Sequence, residues 1–184
     1  MDDSTVIAHT RRWVADFVIG LNLCPFARRV FEGDKVRYVV SASESEAALL
    51  EELTRELHWL ADPKSNSETT FLIHPHALND FLAYNDFLDV ADSRIDELDL
   101  EGVIQIASFH PRYRFADTDA DAVENYTNRS PYPMLHLLRE ESISAVAGDT
   151  DELLEIPRRN IQTLEQLGAA RILEMLEEIR RAAV

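Results

Sequence analysis

Apolar side chains recur every three or four residues from Val6 to Leu21, through Ile7, Trp13, Val14, Phe17 and Val18. That is the spacing of one buried helical face, and it predicts a helix from about Ser4 to Gly20. The pattern then changes period. Val36 to Ser41 is β-branched and aromatic, which predicts a strand. Ser43 with Glu46 reads as a capping box opening a helix whose buried face carries Ala47, Leu50, Leu53, Leu57 and Leu60. Pro63 and a polar loop lead to a second strand, Thr69 to His74, closed by Pro75. Leu78, Phe81, Leu82, Asn85 and Leu88 mark a third helix, and Gly102 precedes a third strand, Val103 to Phe109.

Beyond Phe109 the signals shorten. Thr118 with Asp121 predicts a short helix through Tyr126, and Pro133 suits the first position of a helix reaching about Glu140. Ile143 to Ala147 reads as a fourth short strand. Asp149 with Glu152 is a further capping pattern, which Pro157 interrupts. Ile161, Leu164, Leu167, Ile172, Leu173, Leu176 and Ile179 supply a long C-terminal helical face that Gly168 ends or bends. Strands alternating with helices predict an α/β or α+β fold. The expectation is a single domain over residues 1–184, with a small, partly parallel sheet of about four strands flanked by helices and a long C-terminal helical region. Were strands two and three parallel, His74-Pro75-His76 and His110-Pro111-Arg112 would share the edge where open sheets bind ligands.

Composition narrows the partners. A length of 184 residues with 46% hydrophobic positions suits one core. No apolar run approaches the roughly 20 residues that span a bilayer. Cys24 is the only cysteine, so no internal disulfide forms and the cytoplasm is the expected compartment. A formal charge of -16 repels nucleic acid and anionic membranes over most of the surface, and neither is expected as a partner. Of 18 basic residues only Lys35 and Lys64 are lysines, so nearly every cation is a planar guanidinium suited to carboxylate or phosphate. Oligomeric state has no signature here.

The candidate chemistry lies between Gln105 and Glu140. Asn128, Arg129 and Ser130 offer amide, guanidinium and hydroxyl donors just before the helix expected at Pro133, whose N-terminus would favour negative charge. Arg112, Arg114 and Arg139 could join them. His110 and His136 are the expected acid/base groups. His74, His76, His110, His136 and Cys24 form the alternative, a divalent metal set, though their spacing matches no known ligand motif. Asp117-Thr118-Asp119-Ala120-Asp121 begins like a calcium loop but lacks its glycine and closing glutamate. Cys24, set between Leu23 and Pro25, reads as a core thiol or as a nucleophile needing His110 or His136 nearby. No P-loop, GxGxxG or Gly-x-Ser-x-Gly occurs, so no cofactor is evident.

Five stretches carry a family resemblance: Leu21 to Ala27 (LNLCPFA), Tyr84 to Asp89 (YNDFLD), Ala107 to Pro111 (ASFHP), Thr127 to Glu140 (TNRSPYPMLHLLRE) and Arg159-Asn160-Ile161. They resemble the bacterial domain of unknown function 1415 family over nearly the whole chain. The resemblance implies a single-domain bacterial protein and brings no reaction, cofactor or catalytic residue with it. Three readings stand at this point. The first is a small-molecule enzyme, hydrolase- or transferase-like, gripping an anionic substrate. The second is a metal-binding protein. The third is a non-catalytic ligand-binding or interaction module in which Arg112, Arg129 and Glu140 form a buried ion-pair network.

Overall fold

The computed structural model describes residues 2–144 and 150–181. Asp2 caps the first helix, α1 (Asp3–Arg12), its carboxylate accepting from the Thr5 N–H. The chain continues without a break as a π-helix, Trp13–Ile19. Gly20 and Leu23 donate to the carbonyls five residues back, Ala15 at 3.0 Å and Val18 at 2.8 Å. Glycine is required at 20, because a Cβ there would lie 2.1 Å from the Asp16 carbonyl oxygen. A short helix that the apolar pattern does not announce, α2 (Ala27–Glu32), leads into β1 (Val36–Val40).

Ser45, rather than Ser43, caps α3 (Glu46–Ala61). Then come β2 (Thr69–Ile73), α4 (Phe81–Glu97) capped by Asp80, and β3 (Ile104–Phe109). Between Thr118 and Tyr126 the expected helix is reduced to a 3-10 turn, Val123–Thr127. The largest departure follows. Residues 134–139 are not helical but form β4 (Met134–Arg139). Met, Leu and Arg are good helix formers, yet a short apolar run with two open strand edges to join is settled by tertiary pairing. A five-residue helix, α5 (Glu140–Ser144), follows directly, so Ile143 is helical rather than extended. Residues 145–147, and the expected cap at Asp149, lie outside the described residues. Helix α6 (Thr150–Leu167) runs through Pro157 instead of being interrupted by it. Gly168, at φ +80, ends it before α7 (Ala169–Arg181).

The sheet order is β1-β2-β4-β3. Strand β2 pairs parallel with β1, and β4 runs antiparallel to both β2 and β3. The first three strands therefore point one way, and their carboxyl ends share an edge even though β4 separates β2 from β3. Side-chain alternation divides the core between the two faces. Leu72, Leu135, Leu137 and Ile104 pack with Leu49, Leu53 and Leu57 of α3 and Tyr84, Phe87 and Ala91 of α4. Phe71, Ile73 and Met134 face the other layer, where Trp13, Val14 and Phe17 of the π-helix meet Leu164 of α6 and Ile172 and Ile179 of α7. Among the described residues, no helix is long and apolar enough to cross a membrane.

Candidate functional site

The shared strand edge brings His74 and His110 together as the parallel directions require, but both are bound to the backbone. His110 is 1% exposed. Its Nδ1 accepts the Arg112 N–H at 2.9 Å, which puts the ring proton on Nε2, facing the Leu78 carbonyl at 3.3 Å. His74 donates from Nδ1 to the Ala77 carbonyl at 3.0 Å, and its ring stacks on Tyr84. Burial holds both imidazoles below their usual pKa, His74 at about 4. Tyr84 ties this corner to the sheet: its hydroxyl donates to the Met134 carbonyl and accepts the Phe109 N–H, each at 2.9 Å.

His136 stands apart, on the opposite face of the sheet. Its ring stacks on Phe71 at 3.9 Å, and its Nε2–H meets the Thr69 hydroxyl at 2.5 Å. That hydroxyl in turn donates to the Leu137 carbonyl. Burial lowers the imidazole to about 3, so it stays neutral near pH 7. Neither His110 nor His136 pairs with the other or with a candidate nucleophile.

The arginines are likewise engaged, mostly with backbone oxygens. Arg129 donates to the Tyr113 carbonyl at 3.2 Å and the Ala120 carbonyl at 2.6 Å, and lies 4.2 Å from the centre of the Tyr126 ring. Arg114 donates to Thr118 and Arg112 to Asn79. Arg139, at the far end of β4, binds the carbonyls of Ser67 and Asp62. The expected ion-pair network of Arg112, Arg129 and Glu140 is replaced by carbonyl contacts; Arg112 has only an exposed approach to Asp80 at 3.9 Å. Ser130 donates to Tyr132, and Asn128 to Ser108. With β4 in place of a helix at Pro133, no helix dipole backs this segment. Nor, among the described residues, do three His, Cys, Asp or Glu side chains gather to hold a metal, so His74, His76, His110, His136 and Cys24 do not form a centre. His76 is exposed.

Space for a ligand opens elsewhere, in a cavity of about 580 Å³. Val18 of the π-helix, Leu23 and Cys24 form one wall, and Phe109 at the end of β3 another. Phe115, Thr118, Glu124, Thr127 and Asn128 come from the loop and 3-10 turn, and Pro157, Asn160 and Ile161 from α6. Asn160 ties α6 to the Cys24 turn by donating to the Leu23 carbonyl at 2.8 Å. Burial raises the Cys24 thiol pKa, so it is protonated near neutrality. Of the eight residues expected from sequence to act on a ligand, only Asn128 lines this space. Glu124 and Asn160 were missed. Asn160 did have a signal, being a polar residue four and seven positions before Leu164 and Leu167 on an apolar stripe.

Four separate stretches of the sequence thus close on one cavity: LNLCPFA, ASFHP, the start of TNRSPYP and Arg159-Asn160-Ile161. They are among the stretches that carry the family resemblance. A family model described as protein of unknown function DUF1415 matches residues 5–174. The chain belongs to the DUF1415 family. No curated protein matches it, and no solved structure does. The DUF1415 match spans every element that lines the cavity and ends within α7.

Proposed function

We propose that this protein binds a small, largely apolar molecule in the cavity between the Cys24 turn, the 110–133 connection and α6. The carrying observation is the cavity: about 580 Å³, inside the roughly 300–1,000 Å³ typical of small-molecule sites. Its wall is mainly hydrophobic, with a few polar groups to orient a ligand. The connection beside it supports the reading, because residues 110–133 hold only one 3-10 turn, and long irregular segments in compact domains commonly serve binding. An anion-directed hydrolase or transferase draws less support, since no arginine, lysine or histidine among the described residues lines the cavity.

The test is a fragment screen by thermal shift on the wild type and on Ile161→Trp, which fills the cavity. Cys24 reports occupancy through its rate of alkylation. Apolar fragments should stabilise the wild type and shield Cys24, and Ile161→Trp, folded by circular dichroism, should lose the response. Fragments that act equally on both proteins, or leave Cys24 alkylation unchanged, overturn the reading.

A further inference from the structure

Most polar groups around the cavity are committed to the protein itself, and the uncommitted ones share a character. The Thr118 hydroxyl is directed at the Phe115 carbonyl and Asn125 Oδ1, and the Thr127 hydroxyl at the Glu124 carbonyl and Asn128 Oδ1. Asn128 donates to Ser108, and Asn160 donates to Leu23. No described residue pairs with the Glu124 carboxylate, and no described donor reaches the amide oxygen of Asn160. The unspent capacity is therefore acceptor-rich. Among the described residues Glu124 is the only Asp, Glu, Lys, Arg or His that lines the space, so no basic side chain there answers it. A ligand satisfying these oxygens must bring hydrogen-bond donors, and a donor carrying positive charge answers the carboxylate best. The field of a chain with formal charge -16 concentrates cations rather than anions at such an opening.

We propose that the cavity selects a cationic amphiphile, an apolar body bearing a protonated amine or amidine that pairs with Glu124. This rests on the cavity reading above and adds the class of ligand. Three probes built on one phenylpropyl skeleton separate the terms: 3-phenylpropan-1-amine, 3-phenylpropan-1-ol and 3-phenylpropionate. Their binding to wild type and Glu124→Gln is followed by protein NMR, with Cys24 alkylation as the occupancy signal. The amine should bind wild type best, lose about tenfold in Kd with Glu124→Gln, and weaken with added salt; the alcohol should be indifferent to both changes. An alcohol or carboxylate binding as tightly as the amine, or an amine indifferent to Glu124→Gln, overturns the cationic assignment while leaving the cavity reading intact. If none of the three shifts cavity resonances or shields Cys24, both fall. The Glu124 carboxylate takes no part in the bonds that fix the loop, so Glu124→Gln should fold. The salt dependence measured on wild type distinguishes the same outcomes without a variant.

Discussion

Replacing Arg129 by methionine removes two hydrogen-bond donors from the 110–133 connection while keeping an apolar stem over Tyr126. The guanidinium donates to the Tyr113 and Ala120 carbonyls and covers the Tyr126 ring. Hydrogen bonds involving a charged partner contribute about 1.5–3 kcal/mol each, and an exposed cation–π contact about 0.5–1 kcal/mol. The Ala120 contact is exposed, and its carbonyl can turn to water, so only the Tyr113 bond and the Tyr126 contact are counted. The expected loss is about 2–4 kcal/mol, or roughly 5–15 °C in Tm for a domain of this size. Urea unfolding at pH 7, followed by circular dichroism, measures it. Arg129→Lys, keeping charge but not the fork, should fall between. Arg112→Met is the internal control: its side chain is 65% exposed, and its removal should cost less than about 0.5 kcal/mol. An Arg129→Met protein within that same margin would show that the guanidinium does not fasten the loop and is free for a ligand.

Tyr84→Phe should destabilise by about 2–4 kcal/mol in the same assay, because the Met134 carbonyl and Phe109 N–H both lose their partner in a fully buried corner. For His74, held at about 4 against 6.5 in the unfolded chain, the unfolded state takes up the proton first. Its stabilising effect is fully present above pH 6.5 and is lost as the pH falls toward 4, a change of about 3 kcal/mol. His110 and His136 act in the same direction. Unfolding at pH 7, 5 and 4 should show that slope, and His74→Asn should flatten it; an equal slope in the variant refutes the assignment. Cys24, its pKa raised by burial, should react with a disulfide reagent more slowly than a free thiol at pH 8 and reach the free-thiol rate in urea.

Much of the fold was legible because long amphipathic patterns leave few alternatives. The helix expected from Ser4 to Gly20 occupies Asp3–Ile19, and the expected strands at Val36, Thr69 and Val103 form within a residue or so of their bounds. The π-helical winding of its second half was not legible, because a sequence does not record which carbonyl a given N–H will choose. The failure at β4 has another cause. Met134 to Arg139 is apolar on both faces because it lies between β2 and β3 under helices on either side, and a strand buried on both faces has no alternation to read. Mistaking it for a helix also supplied the N-terminal dipole on which the expected anion site depended.

The arginine-rich segment misled for a reason that bears on the cavity. A connection as long and irregular as 110–133 has few ladder partners for its carbonyls, and buried or half-buried backbone oxygens must find donors somewhere. Arg114, Arg129 and Asn125 supply them; Asn125, fully buried, accepts from the Phe115 N–H and donates to the Asp119 carbonyl. Composition shows which donors are present but not which carbonyls face them, so a set of loop fasteners and an anion site look alike. Yet the fastened segment is itself a wall of the cavity, through Phe115, Thr118, Glu124, Thr127 and Asn128. Its order should therefore enter ligand affinity: apparent Kd rises in inverse proportion to the fraction of molecules with the wall in place. Arg129→Met, which touches no ligand, should weaken a bound fragment and speed Cys24 alkylation together, while Arg139→Met, fastening a different loop at the far end of β4, should lower stability without either effect. Equal affinity in the wild type and Arg129→Met, both fully folded, would separate the fasteners from the site.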